Sequence, residues 1–544
     1  MNPYLAEEFT PAETDILRRY FTNLDKPVFA LVNLPEVVKG ALFARYSRST
    51  KSLRRLFLDE FVGELDISGD VSIDATVGLR RAEELYDRIF LEYGDDSVAQ
   101  LGGVHLACEQ ASNILTKVLE WGRLMSYLEQ STRYVDYLTR IGGRYRYYRD
   151  PEVGESTLSG RYVSDMDRMF EAYGELLGVM TKFFQTHISK TPKDADFAYR
   201  QAIQAKALDT VRGVLPAATM SNVGMYGTGQ SYELLLMRMR SHQLPEVQNY
   251  AELMLTELRK VIPSFLKRVD LKDRGVEWSA YMGDVQESME SVVSYLLPEE
   301  TPSADVPTVQ LVDFDPDAEI KMVASMLYPY THLPSQQLEQ EVAAMSVEER
   351  VSVMRAYVGD RSNRRHKPGR ALERSIYQFD ILADYGAFRD LQRHRMLTLE
   401  WQKLSPRHGY TQPEALEAAG CAKIFDEVME RSATLYELLN HDFPEQASYV
   451  VSLAYKVRFA IGLNARSAMH LIELRTTPQG HPTYREIGQE MWRLIRDKAG
   501  HTAVAEMMRF VDLREETPLG RLAAERRTDK LRQLRNALPE SIER

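Results

Sequence analysis

Tyr377-Gln378-Phe379-Asp380-Ile381-Leu382-Ala383-Asp384-Tyr385-Gly386-Ala387-Phe388-Arg389-Asp390-Leu391-Gln392-Arg393-His394-Arg395 changes its hydrophobic period midway. Tyr377, Phe379 and Ile381 alternate, as in a strand with one buried face. Phe388 and Leu391 then fall at helical spacing, and the segment ends on Arg393-His394-Arg395. The same succession occurs earlier in the chain. Val104, Leu106 and Cys108 alternate, Ile114, Leu115, Val118 and Leu119 follow at helical spacing, and Trp121-Gly122-Arg123 closes the segment.

The parallel extends outward from these two stretches. Each is followed by a Ser/Arg loop: Glu129-Gln130-Ser131-Thr132-Arg133-Tyr134 in the first half, Lys403-Leu404-Ser405-Pro406-Arg407 in the second. Each half later carries an apolar helix with an arginine near its end. One contains Leu234-Leu235-Leu236-Met237-Arg238; the other runs from Asn464-Ala465-Arg466-Ser467 through Leu471-Ile472-Glu473-Leu474-Arg475. A period of roughly 250 residues is too long for a solenoid and is that of a duplicated domain. Pro298-Glu299-Glu300-Thr301-Pro302-Ser303-Ala304-Asp305-Val306-Pro307 has almost nothing to bury and reads as a linker. The expected organisation is domain 1–297, linker 298–307 and domain 308–544. The class is α/β (α+β), each domain a mixed sheet with long helices. Residues 140–165 read as a surface insertion, with Gly142-Gly143 suggesting a hairpin. Asp95 and Asp96 read as loop residues, and the charged stretch 521–544 as a solvated helix.

Composition narrows the function classes. The chain has 544 residues, 44% hydrophobic and 27% charged, the balance of a globular protein of more than one domain. A formal net charge of −11 argues against a general nucleic-acid binder. Cys108 and Cys421, the two cysteines, form neither a disulfide framework nor a metal-ligand set. Cys108, on an alternating strand, reads as core. The segment from Met1 to Glu8 has no signal-like apolar run, and no stretch reaches transmembrane length. A cytoplasmic protein with no bound metal is the expectation. Two arginines around a histidine on an apolar segment need anionic partners, and planar guanidiniums suit phosphate.

These blocks resemble the flavin-dependent thymidylate synthases, whose signature has the form R-H-R-x-x-S-x-N-E-x-S-x-R-Y. The first half keeps the Glu129-x-Ser131-x-Arg133-Tyr134 end but has Trp121-Gly122 in the first two signature positions. The second half keeps Arg393-His394-Arg395 but reaches Ser405 two residues late, with Lys403 in place of the glutamate. The second half also resembles the family's N-A-R-S block, with Asn464, Arg466, His470 and Arg475; the first half has Gly227 and Gly229 in the positions of Asn464 and Arg466, and keeps Arg238. Val211-Arg212-Gly213-Val214-Leu215-Pro216 is similar to the family's A-R-x-V-L-P and has no arginine-bearing counterpart in the second half.

The resemblance implies FAD as cofactor, dUMP as the pyrimidine nucleotide substrate, and methylenetetrahydrofolate and NADPH as co-substrates. It places Glu129, Ser131, Arg133 and Arg212 on the substrate side, and Arg393, His394, Arg395, Asn464, Arg466 and His470 on the flavin side. Arg475 would meet the pyrimidine as the catalytic arginine. Because each half keeps a different set, the implied site is composite, built within a chain or across a homodimer that mimics a four-domain assembly. Two other functions stay open: a flavin enzyme for another pyrimidine nucleotide, and a flavin- or nucleotide-binding protein without catalysis. For individual residues, Asn464 and Arg466 could instead cap or pair within a helix bundle, Arg238 could equally be a structural ion-pair residue, and His366 and Glu373 could be local capping residues.

Overall fold

The computed structural model describes residues 4–34, 39, 42–43, 46, 49–60, 102–190, 196–297 and 306–514. Asp95, Asp96, the linker apart from 306 and 307, and the stretch 521–544 lie outside the described residues. The chain divides into two compact units. The first comprises residues 1–174, 214–302 and 427–452; the second comprises 175–213, 303–426 and 453–544. Each unit is thus completed by a segment from the other half of the sequence.

Each unit contains one four-stranded sheet. In unit 1, β1 (Val28–Leu31), β2 (Gly103–Ser112), β3 (Ser126–Glu129) and β4 (Met220–Thr228) lie in the order β1-β2-β4-β3. In unit 2, β5 (Val309–Phe314), β6 (Tyr377–Asp384), β7 (Thr398–Trp401) and β8 (Lys456–Leu463) lie in the order β5-β6-β8-β7. The α/β class with long helices is as expected, but the sheets are antiparallel at every described pairing, not mixed. The reason is topological. The two central strands of each sheet run in opposite directions, so the helices that follow them start at opposite ends of the sheet.

Side-chain chemistry makes the two central strands of each sheet end in helices. Ser112 and Asp384 stop β2 and β6 and cap the helices Asn113–Leu119 and Tyr385–Gln392, accepting from the N–H of Leu115 and Ala387. Thr228 and Asn464 do the same for Gly229–Arg240 and Ala465–Arg475, accepting from Ser231 and Ser467. In β6 the alternating residues Tyr377, Phe379, Ile381 and Ala383 are buried, as the sequence period requires.

The segment 140–165 is only partly the surface feature expected. Gly142 and Gly143, with φ of +56° and +75°, form a two-residue hairpin turn closed by paired hydrogen bonds between Ile141 and Arg144. Tyr147 and Tyr148, just beyond it, are buried and anchor the segment. Cys108 is core, beside Met225.

Candidate functional site

The helices that leave β6 and β8 meet in unit 2. Arg475, in the last turn of Ala465–Arg475, donates through Nη2 to the carbonyl of Asp390, and its Nη1 lies 3.6 Å from the Asp390 carboxylate. That carboxylate also pairs with Arg393 at 2.5 Å and with Arg212 at 3.8 Å. Arg212 comes from the first half of the sequence and belongs to unit 2 through the segment 175–213. Its side chain is 5% exposed, and Nη2 is buried without a hydrogen-bond acceptor. The guanidinium lies against Gly386, where a Cβ would sit 3.5 Å from Nε and Nη2. Three guanidiniums therefore converge on one carboxylate, leaving a cationic cluster suited to an anion.

His394 adds a directional element. Arg475 Nε donates to His394 Nε2 at 2.9 Å, so the neutral ring carries its proton on Nδ1. Burial, then the nearby Arg475, His470 and Arg393, holds His394 well below the usual imidazole range. The His470 ring stands edge-on to it at 5.7 Å. Burial, followed by Lys367 and Arg364, pushes His470 down to about 4. Arg475 also lies over the Tyr484 ring, at 5.3 Å.

The remaining expected residues are placed differently. Arg395 is exposed at the end of the Arg-His-Arg turn. Asn464 spends its side-chain oxygen on the helix cap, and Arg466 bonds the Pro368 carbonyl and the Glu373 carboxylate. These contacts are of the capping and pairing kind that was open for them, and Glu373 is an ion-pair partner. Glu129, Ser131 and Arg133 belong to unit 1. Glu129 is buried, 3.3 Å from Lys117, which also pairs with Glu120 at 2.5 Å. Ser131 Oγ accepts from the N–H of Arg133 at 3.3 Å; Ser405 Oγ makes the same turn to the N–H of Arg407 at 3.4 Å. Strand register corrects one correspondence. Glu129 pairs across to Val223, and Trp401 pairs to Phe459 at the same place in its sheet, so Trp401, not Lys403, stands where the glutamate does. The two extra residues lie beyond Gln402.

Aligning the caps Ser112 and Asp384 shows what unit 1 has lost. Trp121 stands for Arg393, Gly122 for His394 and Val118 for Asp390. Arg238 donates to the Val118 carbonyl at 3.0 Å, as Arg475 does to that of Asp390, but it stacks on Trp121 at 4.2 Å and, among the described residues, forms no ion pair. Burial without a carboxylate lowers it to about 10. Asp390 is the functional residue that sequence reading missed. Its signal was available: it is an acid where the first repeat has valine, three residues before Arg393 on one helical face.

Comparison with known proteins agrees with this paired architecture. The family model described as thymidylate synthase complementing protein matches residues 44–264 and again 310–501. The chain belongs to that family. As a member of the thymidylate synthase complementing proteins, it is 40% identical over 525 residues to a UPF0159 protein of Chlamydia muridarum, covering 96% of this chain and 98% of the relative. A UPF0159 protein of Thermoplasma acidophilum is 31% identical over 514 residues, covering 90% and 97%. A flavin-dependent thymidylate synthase of Clostridium tetani is 25% identical over 185 residues, covering 33% of this chain and 67% of that protein. Among solved structures, a UMP/dUMP methylase from Streptomyces cacaoi bound with 5-Br dUMP aligns at 17% identity and a TM-score of 0.29, covering 38% and 97%. Among the described residues, no group of three or more His, Cys, Asp or Glu could hold a metal, and no helix is long and apolar enough to cross a membrane.

Proposed function

We propose that this family member catalyses the FAD-dependent reductive methylation of dUMP to dTMP, with methylenetetrahydrofolate as carbon donor and NADPH as reductant. The observation that carries the reading is the cluster of Arg212, Asp390, Arg393, His394 and Arg475 within unit 2. It joins an arginine of one repeat to the Arg-His-Arg turn of the other. The orphan Nη2 of Arg212 is a buried donor that requires an acceptor, and a nucleotide phosphate oxygen supplies one.

In this reading Arg212 binds the phosphate and Arg475 meets the pyrimidine, where its charge stabilises negative charge developing on the ring. Asp390 holds Arg475 and Arg393 in place before substrate arrives. His394, neutral and accepting from Arg475, fixes the guanidinium plane. The donor set also fits a flavin: Arg393 and Arg395 are cations on one turn, matched to the anionic parts of FAD, and Arg395 is accessible from solvent. Arg393, His394, Arg395 and His470 would hold it, with Asn464 and Arg466 supporting their helix and the loop beside it. FAD, when bound, supplies the hydride chemistry. Glu129, Ser131 and Arg133 serve the substrate side, in the same chain or in a partner within a cytoplasmic homodimer, and 1–297 and 308–544 are the duplicated sequence domains.

Purified protein reconstituted with FAD and given dUMP, methylenetetrahydrofolate and NADPH should form dTMP. Flavin binding without dTMP, but with turnover of another pyrimidine nucleotide, would reassign the substrate. Absence of flavin binding would remove the enzymatic reading.

A further inference from the structure

The hairpin at 141–144 and the segment after it bring three arginines of unit 1 to one small pocket, lined by Arg144, Arg146 and Arg149 together with Gln110 of β2. Strand register shows that these arginines are not part of the repeated pattern. The N–H of Met220, which opens β4, donates to the Arg146 carbonyl, and the N–H of Lys456, which opens β8, donates to the Gly409 carbonyl, both at 2.9 Å. Tyr148 and Thr411 likewise donate to Ala218 and Ala454. Gly409 therefore stands for Arg146 and Gln412 for Arg149, and Arg144 lies on the hairpin that lengthens the first repeat.

We propose that this pocket binds a phosphate group, carried by a small molecule or free. Arg146 is 6% exposed and, among the described residues, pairs with no carboxylate. Its Nη2 donates to the Asp136 carbonyl at 2.6 Å, its guanidinium lies over the Tyr137 ring at 4.6 Å, and its Nε is buried without an acceptor. A buried guanidinium is costly until an anion joins it. Arg149 lies 3.9 Å from Asp167, beyond hydrogen-bond distance, and that carboxylate accepts from the Tyr147 hydroxyl at 2.8 Å. Arg144 is exposed. The β2 bulge, where Gln110 takes a left-handed φ of +57°, turns an amide into the same pocket. No Asp or Glu lines it. Three guanidiniums donate only and exceed the charge of one carboxylate. A phosphate monoester, with about two negative charges and three acceptor oxygens, matches them. The small pocket suits a single group better than a nucleic-acid strand, in keeping with the net charge of −11. The site shares no residue with the unit 2 cluster and does not depend on dUMP turnover.

The test is hydrogen–deuterium exchange of the full chain, read at residues 140–149, with inorganic phosphate or phenyl phosphate against sodium chloride at equal ionic strength. Exchange there should slow and saturate with phosphate in the wild type. Arg144→Ala plus Arg149→Ala should raise the half-saturating concentration at least about tenfold, the effect of losing one or more charge-assisted hydrogen bonds. Arg144→Glu, a change at an exposed position that leaves the fold intact, should do the same and keeps the test valid if the double variant is unstable. Arg212→Gln should leave the slowing in place, which separates this site from the phosphate site proposed in unit 2. Tighter binding of phenyl phosphate assigns the pocket to a phosphorylated small molecule; equal or weaker binding assigns it to free phosphate. A wild type without saturable slowing would overturn the proposal, as would slowing that survives Arg144→Glu or disappears in Arg212→Gln.

Discussion

Arg475 Nε donates to His394 Nε2 at 2.9 Å, which ties the late arginine of the second repeat to the middle of its Arg-His-Arg turn. The bond exists only while the imidazole is neutral, because protonated Nε2 is a donor. His394 and His470 are both held below their ordinary range, so the folded unit binds fewer protons than the unfolded chain in mild acid.

The consequence is a pH dependence of known sign. The histidines' contribution to stability is complete above the unfolded imidazole value, 6.5, and falls as pH drops toward the His470 value of about 4. The melting temperature of the wild type should decline across that window. His470→Asn, which cannot titrate, should decline less. Equal slopes for the two proteins would show that His470 is not held neutral by its surroundings.

Arg212 should matter chiefly to the ligand. A charge-assisted hydrogen bond contributes about 1.5–3 kcal/mol, so Arg212→Gln should weaken dUMP binding by about 10- to 150-fold in a calorimetric titration. FAD absorbance should be retained. Unchanged dUMP affinity would remove Arg212 from the substrate site.

Arg238 and Arg475 should part company. Arg238 is half-buried, stacked on Trp121, with an Nε that has no hydrogen-bond partner, so Arg238→Met is expected to leave stability unchanged or raise it. The same change at Arg475 strands Asp390 with one fewer cation and should abolish turnover. Comparing melting temperature and activity for the two variants checks both expectations. Equal loss of activity would mean that both repeats retain a working arginine.

Lys117 lies against the buried carboxylates of both Glu120 and Glu129. Lys117→Met leaves these acids buried together, and breaking a buried pair costs on the order of 3–5 kcal/mol. Chemical denaturation should show that loss, largest near neutral pH and smaller in acid, where the carboxylates protonate. A pH-independent loss would point to packing instead.

The sequence made the strand-to-helix units legible because their periods are local: Tyr377, Phe379 and Ile381 are buried as their alternation requires. The duplicated pattern was legible for the same reason. Sheet direction was not, since period alone does not distinguish antiparallel from parallel neighbours. The gathering of Arg212 with Arg475 was implied by resemblance only as part of a composite site. Its realisation in unit 2 depends on the segment 175–213, whose destination no local pattern reveals. Asn464 and Arg466 show the converse limit. Their types suit a ligand, but the nearest acceptors and donors are the Ser467 N–H, the Pro368 carbonyl and Glu373. No local pattern in the sequence signals that Lys117 lies beside Glu129.

Turnover of dUMP by the unit 2 cluster is directly measurable. Formation of dTMP should be measured with FAD, NADPH and methylenetetrahydrofolate for the wild type, Arg475→Lys and Arg238→Lys. Activity in the wild type, retained in Arg238→Lys and reduced at least about 100-fold in Arg475→Lys, is the predicted result, since a lysine loses the directed contacts to His394 and Asp390. A flavin-loaded wild type that forms no dTMP, or an Arg475→Lys protein as active as wild type, would contradict it.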